Sequence, residues 1–158
     1  MSELARVHLS KSAPDVYKAL AAFSKTVGGV ADEAGIDARL KELVQIHVSQ
    51  LNGCAFCVDK HTAEARVVGI SEQKLYGVTV WRETPFFTPR ERTALAWTEA
   101  VTALGDHGVS DALHAAALEQ FTELELVNLT MAVIAINSWN RLAVTFRAEV
   151  GGYQVKGH

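Results

Sequence analysis

Two cysteines in 158 residues are too few to staple a small scaffold with disulfides, so whatever they do depends on where they sit. Prolines number three, and no stretch approaches the roughly 18 to 20 apolar residues of a membrane span, which excludes a proline-rich linker and an integral-membrane reading. Neither sign of charge dominates: 15 basic against 18 acidic residues give a net charge of -3, leaving no field that favours nucleic acid or an anionic membrane. The N-terminal MSELARVHLSKSAPDVY lacks the apolar run of a signal peptide, so a cytoplasmic location is expected. Sustained period-two alternation is also missing, which leaves a sheet little to build from. What remains is a chain that is 49% hydrophobic and 21% charged, long enough for one domain over residues 1–158 and its core.

Helical signals fill that chain, and the expected fold class is all-α. Pro14 opens a helix expected to end near Gly28 and Gly29, and Asp37 caps another running to Asn52-Gly53. CAFCVDKHTAEARVV follows and is stopped by Gly69, with a short helix after Ser71. Thr88-Pro89-Arg90-Glu91 and Thr122 with Glu125 are capping-box patterns, and Ser110 caps the helix between them. The last helix runs long and includes MAVIAI, apolar all round, which implies contacts on more than one side, in the core or at a subunit interface. The glycine-containing tail from Gly151 reads as loose.

Cys54 and Cys57 form a C-x2-C pair at the start of a helix, a spacing that chance gives two cysteines about once in eighty. One helical turn separates the sulfurs, close enough for a disulfide or a shared metal ion, and the free amides and positive dipole end of the helix favour thiolate. His61 lies a further turn on, one turn from Cys57 and nearly two from Cys54, where it can exchange a proton with the Cys57 thiol or a leaving group. Glu42 falls at the edge of the apolar face made by Leu40, Leu43, Val44, Ile46, Val48 and Leu51. It is either a solvated carboxylate or, through the tight turn at Asn52-Gly53, a neighbour of the cysteine helix. Helix-dipole reasoning of the thioredoxin kind selects Cys54 as nucleophile, whereas histidine placement selects Cys57.

Glu42, Cys54, Cys57 and His61 together spell E-x11-C-x2-C-x3-H within ELVQIHVSQLNGCAFCVDKHTAEAR. This pattern resembles the alkylhydroperoxidase D (AhpD) core of the carboxymuconolactone decarboxylase superfamily, over about residues 37–104; NSWNRLAV resembles a further stretch common in small members. The resemblance implies an AhpD-like helical domain, assembled as a homo-oligomer of trimeric or hexameric type. It implies a thiol-dependent alkyl hydroperoxide reductase in which Cys57 attacks the peroxide, Cys54 resolves the product to a disulfide, and Glu42 and His61 relay protons, with no cofactor. Its partners would be an organic hydroperoxide or hydrogen peroxide and a dithiol donor, lipoylated or thioredoxin-like. Some members carry a histidine just before the second cysteine, where this chain has Phe56.

Three other chemistries share these residues. Cys54, Cys57 and His61 offer zinc three ligands, with Glu42 or His47 as a fourth, although a closed structural site usually recruits a second Cys or His pair. Glu42 and His61 alone could serve a nonredox lyase or isomerase, and an oligomeric binding module needs no turnover. His47, on the apolar face of its helix, reads as a hydrogen-bonded core or interface residue, and His8, His107, His114 and His158 as surface groups. Trp81, Phe86, Phe87, Trp97 and Trp139 read as core aromatics or as walls of an apolar pocket, and Asn137 and Asn140 as ties between helix ends and loops.

Overall fold

The computed structural model describes residues 6–155, and within them the chain forms helices and no strand. A single turn, α1 (Leu9–Ser12), leads into α2 (Pro14–Glu33); α3 (Ala38–Leu51), α4 (Ala55–Val67) and α5 (Glu72–Gly77) follow. A 3-10 segment (Val78–Glu83) then precedes α6 (Pro89–Thr102), α7 (Asp111–Gln120) and α8 (Glu123–Phe146). The caps lie where the local sequence puts them. Asp37 accepts from the Leu40 amide at 2.9 Å, and Thr88 with Glu91 and Thr122 with Glu125 close both reciprocal capping boxes.

The first long helix departs from expectation. It runs through Gly28 and Gly29 to Glu33, because its far end packs on α8 and buries Val27 and Ala31, and that burial outweighs the roughly 1 kcal/mol that each helical glycine costs. The tail departs as well. The Gly151 amide donates to Asp59 Oδ2 at 3.1 Å and the Tyr153 hydroxyl donates to Glu64, so this segment is fastened to α4.

Helix α3 is the central element, packed against α4, α6 and α8. Its Leu40, Val44 and Val48 join Trp97, Leu129, Val133, Ile136 and both cysteines in one apolar cluster. Leu43 and Ile46, on its other flank, join Ala65, Leu75, Val78, Trp81, Phe87 and Leu95 in a second. Leu51, at the end of the apolar face, is exposed where the helix turns over into α4. Of the MAVIAI run, Ala132, Val133, Ala135 and Ile136 are buried and Ile134 is exposed, so the helix has a core side and an open side. His47 is a core histidine: its Nε2 lies 2.8 Å from Glu99 Oε1, which also accepts from Trp81 Nε1 and Arg82. His8, His107 and His114 are exposed, and His158 lies outside the described residues. No helix among the described residues is long and apolar enough to cross a membrane.

Candidate active site

The turn between α3 and α4 sets the geometry of the cysteines. Asn52 ends α3, Gly53 takes φ +66°, and Cys54 becomes the N-cap of α4 with its own amide donating to Ser49 O at 2.8 Å. That left-handed step suits glycine, since a Cβ there strains the backbone. Two asparagines of α8 clamp the turn from outside. Asn52 Nδ2 donates to Asn137 Oδ1 at 2.9 Å and to Asn140 Oδ1 at 3.0 Å, while the fully buried Asn140 donates to Ser49 Oγ at 3.1 Å. The expected tying role of these asparagines therefore falls on the residues that present the cysteines.

Both thiols are free and buried, and they face different spaces. Cys57 lines a cavity of about 1680 Å³ together with Phe56, Lys60, His61, Glu42 and Glu64. Cys54 lines a smaller one of about 180 Å³ on the side of Ala143 and Val144. Cys54 Sγ accepts the Cys57 amide at 3.3 Å, a sulfur acting as helix cap. The hydrogen bond from the Cys57 thiol is the main force on Cys54. Against burial, and with help from the Cys57 amide, Asn140 and the charge of His61, it lowers the Cys54 thiol from 9.0 to about 7. Cys57 moves the other way, because it gives that hydrogen bond, is itself buried and faces the Cys54 charge. At neutral pH the pair therefore loses its first proton readily, from Cys54, and keeps the second on Cys57, in its hydrogen bond to Cys54.

Glu42 is not solvated. It reaches across the helical hairpin so that its Oε2 lies 3.0 Å from His61 Nδ1. A second carboxylate meets the same atom: Glu64 Oε2 is 3.2 Å away. Burial favours a neutral ring, but the hydrogen bonds to Glu42 and Glu64 outweigh it and raise the His61 pKa. Glu64 is pushed up by burial yet held down to about 2 by His61, Tyr153 and Lys60. Sequence reasoning passed over Glu64, Lys60 and Tyr153. Glu64 stood one turn from His61 in plain view, whereas nothing local to Tyr153 points to a site 89 residues earlier in the chain.

The donor geometry also bears on a metal. Among the described residues, ligand atoms of Glu42, His61 and Glu64 lie within 4.8 Å of one another, and neither cysteine belongs to that group. A cation there would displace the proton that His61 Nδ1 shares with two carboxylates. Cys54, Cys57 and His61 do not come together as such a group among the described residues, and His47, one of the two candidate fourth ligands, is turned away to Glu99 on α6. Of the aromatics, Trp81, Phe87 and Trp97 are core and Phe86 packs beside them, while Phe56 and Trp139 wall the large cavity. Phe56 brings an apolar ring, and no proton-carrying group, to the position before Cys57.

Residues 14–100, more than half of the chain, match the carboxymuconolactone decarboxylase family. The chain belongs to that family. An uncharacterized protein of Bacillus subtilis, YdfG, is 36% identical over 139 residues, covering 88% of this chain and 92% of its own. The crystal structure of an Agrobacterium tumefaciens protein of unknown function, described as an AhpD antioxidant-defence candidate, superposes with a TM-score of 0.85 at 37% identity, over 94% of this chain and 99% of that one. The AhpD core of an uncharacterized peroxidase-related protein from Ralstonia eutropha shares the fold, with a TM-score of 0.79 at 22% identity, over 90% of this chain and 74% of that one. The all-α fold is therefore AhpD-like, as the resemblance implied.

Proposed function

We propose that the protein is a thiol-dependent peroxidase that reduces organic hydroperoxides or hydrogen peroxide through a Cys54–Cys57 disulfide. The observation that carries this reading is that Cys57, His61 and Glu42 line one cavity, with Cys54 one hydrogen bond behind Cys57. With the shared proton on Cys54, the Cys57 thiolate attacks a peroxide oxygen. The S–O bond forms, the O–O bond breaks, and the leaving alkoxide takes a proton from the His61 imidazolium, giving an alcohol and a Cys57 sulfenic acid. Cys54 then attacks the Cys57 sulfur, the S–S bond forms, and the sulfenic oxygen leaves with the Cys54 proton as water. Two electrons pass from the dithiol to the peroxide. A lipoylated or thioredoxin-like dithiol returns them by exchange, a cycle that suits the expected cytoplasmic setting.

The lowered Cys54 thiol favours the same chemistry with the sulfur roles exchanged, whereas access from the cavity favours Cys57. Assembly as a homo-oligomer of trimeric or hexameric type is part of the proposal, supported by Leu124, Val127 and Ile134 standing exposed along α8; light scattering that finds only monomer counts against it. The functional test follows thiol loss after stopped-flow mixing of reduced protein with hydrogen peroxide or an organic hydroperoxide. Rapid, stoichiometric loss supports peroxidase chemistry. Thiols inert to both oxidants exclude it, and turnover of a lactone or other nonperoxide substrate that survives loss of both cysteines would assign the site to Glu42 and His61 alone.

A further inference from the structure

His61 Nδ1 can donate one proton, yet two carboxylate oxygens lie within hydrogen-bond distance of it, Glu42 Oε2 at 3.0 Å and Glu64 Oε2 at 3.2 Å. Glu42 comes from α3 and belongs to the relay already described. Glu64 is on α4, and its other oxygen is engaged from outside: Oε1 accepts from the Tyr153 hydroxyl and lies 3.9 Å from Lys60 Nζ. The segment carrying Tyr153 is pinned to the same helix by the bond from the Gly151 amide to Asp59, and Lys60 Nζ stands 5.6 Å over the Tyr153 ring. A carboxylate held at both oxygens cannot swing away from the imidazole. His61 Nε2, by contrast, has no hydrogen-bond partner among the described residues, and His61 lines the large cavity.

We propose that Glu64, locked by Tyr153, is a positioning residue that works with Glu42 to commit the Nδ1 proton of His61 inward and leave Nε2 as the atom that exchanges protons with substrate. The inference rests on the peroxidase reading for its chemistry, not for its geometry. In the acid form both ring nitrogens carry protons. As the alkoxide leaves, the Nε2–H bond breaks and the RO–H bond forms, and the ring relaxes to the neutral Nδ1–H tautomer that the two carboxylates stabilise. A single carboxylate can orient the ring; two of them also favour its charged form, which suits an acid that protonates a leaving group better than a base that must accept the thiol proton. The titratable groups facing the ring are Glu42 from α3, Cys57, Lys60 and Glu64 from α4 with Cys54 behind Cys57, and Tyr153 from the tail; Arg6, His8, Tyr17, Lys25, Lys41, Arg147 and Glu149 line the same cavity.

Isotope-labelled histidine resonances of the reduced, full-length protein read the pKa and neutral tautomer of His61 directly. Glu64→Gln is expected to lower that pKa by about one unit or more, since an opposite charge at this distance is worth one to three. Tyr153→Phe should lower it less, by freeing Glu64 to turn to water, and Glu64→Asp should restore part of the Glu64→Gln loss. The alkaline limb of the pH profile for peroxide-driven thiol loss should move down in step with the His61 pKa. If Glu64→Gln fails to fold, Tyr153→Phe and Glu64→Asp decide by the same resonances. Unchanged His61 pKa and tautomer in the folded variants overturns the assignment. A parent protein that consumes no peroxide refutes the peroxidase reading instead, and the resonances still decide the role of Glu64.

Discussion

Replacing either cysteine by alanine should move the titration of the other, in opposite directions. In the parent, the Cys57 thiol donates to Cys54, whose sulfur also caps α4 at 3.3 Å from the Cys57 amide, and the Cys54 thiol is lowered from 9.0 to about 7. Two units correspond to roughly 2.7 kcal/mol of preference for the thiolate, so about half the chains carry it at pH 7, against roughly one in a hundred for an ordinary thiol. Cys57→Ala deletes the strongest of the favourable contacts but leaves the helix amides and Asn140, so the midpoint of Cys54 should rise by about one unit. Cys54→Ala has the reverse effect on Cys57: it removes both the hydrogen bond and the charge that push Cys57 up, and burial alone then keeps it above 9.0. Ultraviolet absorbance of the thiolate against pH, checked by the pH dependence of alkylation, reads both midpoints. A parent protein in which both thiols titrate independently as ordinary ones refutes the shared-proton account, as does a Cys57→Ala variant that keeps the parent midpoint.

Other consequences concern stability. Asn140→Ala removes a fully buried amide that joins Asn52 and Ser49, leaving polar partners unpaired, and should cost about 1–3 kcal/mol in urea unfolding. Acid should destabilise the fold through Glu64 and Glu99. Burial pushes both up, but hydrogen bonds from His61 and Tyr153 on Glu64, and from Arg82, Trp81 and His47 on Glu99, hold both down from 4.5 to about 2. Their stabilisation is complete above pH 4.5 and is lost as pH falls toward 2, so the thermal midpoint should drop across that window and Glu99→Gln should flatten part of the slope. His61 has the opposite sign: its raised pKa stabilises below 6.5 and that contribution fades as pH rises through the folded value.

The helix starts were legible because capping is local: Thr88 with Glu91 and Thr122 with Glu125 are read within four residues. The same holds for the α3–α4 turn, which put Cys54, Cys57 and His61 on one helix start, whereas Glu42 joined them only through the family resemblance. Extent and polarity were harder. Gly28 and Gly29 weaken a helix in isolation, and only the packing of α2 on α8 carries it through them. Glu42 could be placed at the edge of a face, but its engagement with His61 depends on how closely two helices approach. Glu64 acquires its meaning from Tyr153, brought in by a tail whose own sequence reads as loose. The sulfur pair was read from helix position and histidine spacing, whereas the proton they share depends on their mutual contact and on Asn140 from α8.

The most direct test of thiol peroxidase chemistry is a single turnover of the reduced protein with one equivalent of organic hydroperoxide, followed by intact mass and peptide mapping. The parent should lose both thiols to an internal Cys54–Cys57 disulfide with one equivalent of alcohol formed, and Cys54→Ser should stop at a sulfenic acid on Cys57 that a dimedone-type probe traps. A sulfenic acid mapped to Cys54, with Cys57→Ser reacting at the parent rate, would reverse the sulfur roles. Peroxide left unconsumed, with both thiols intact in the parent, would contradict the account at its centre.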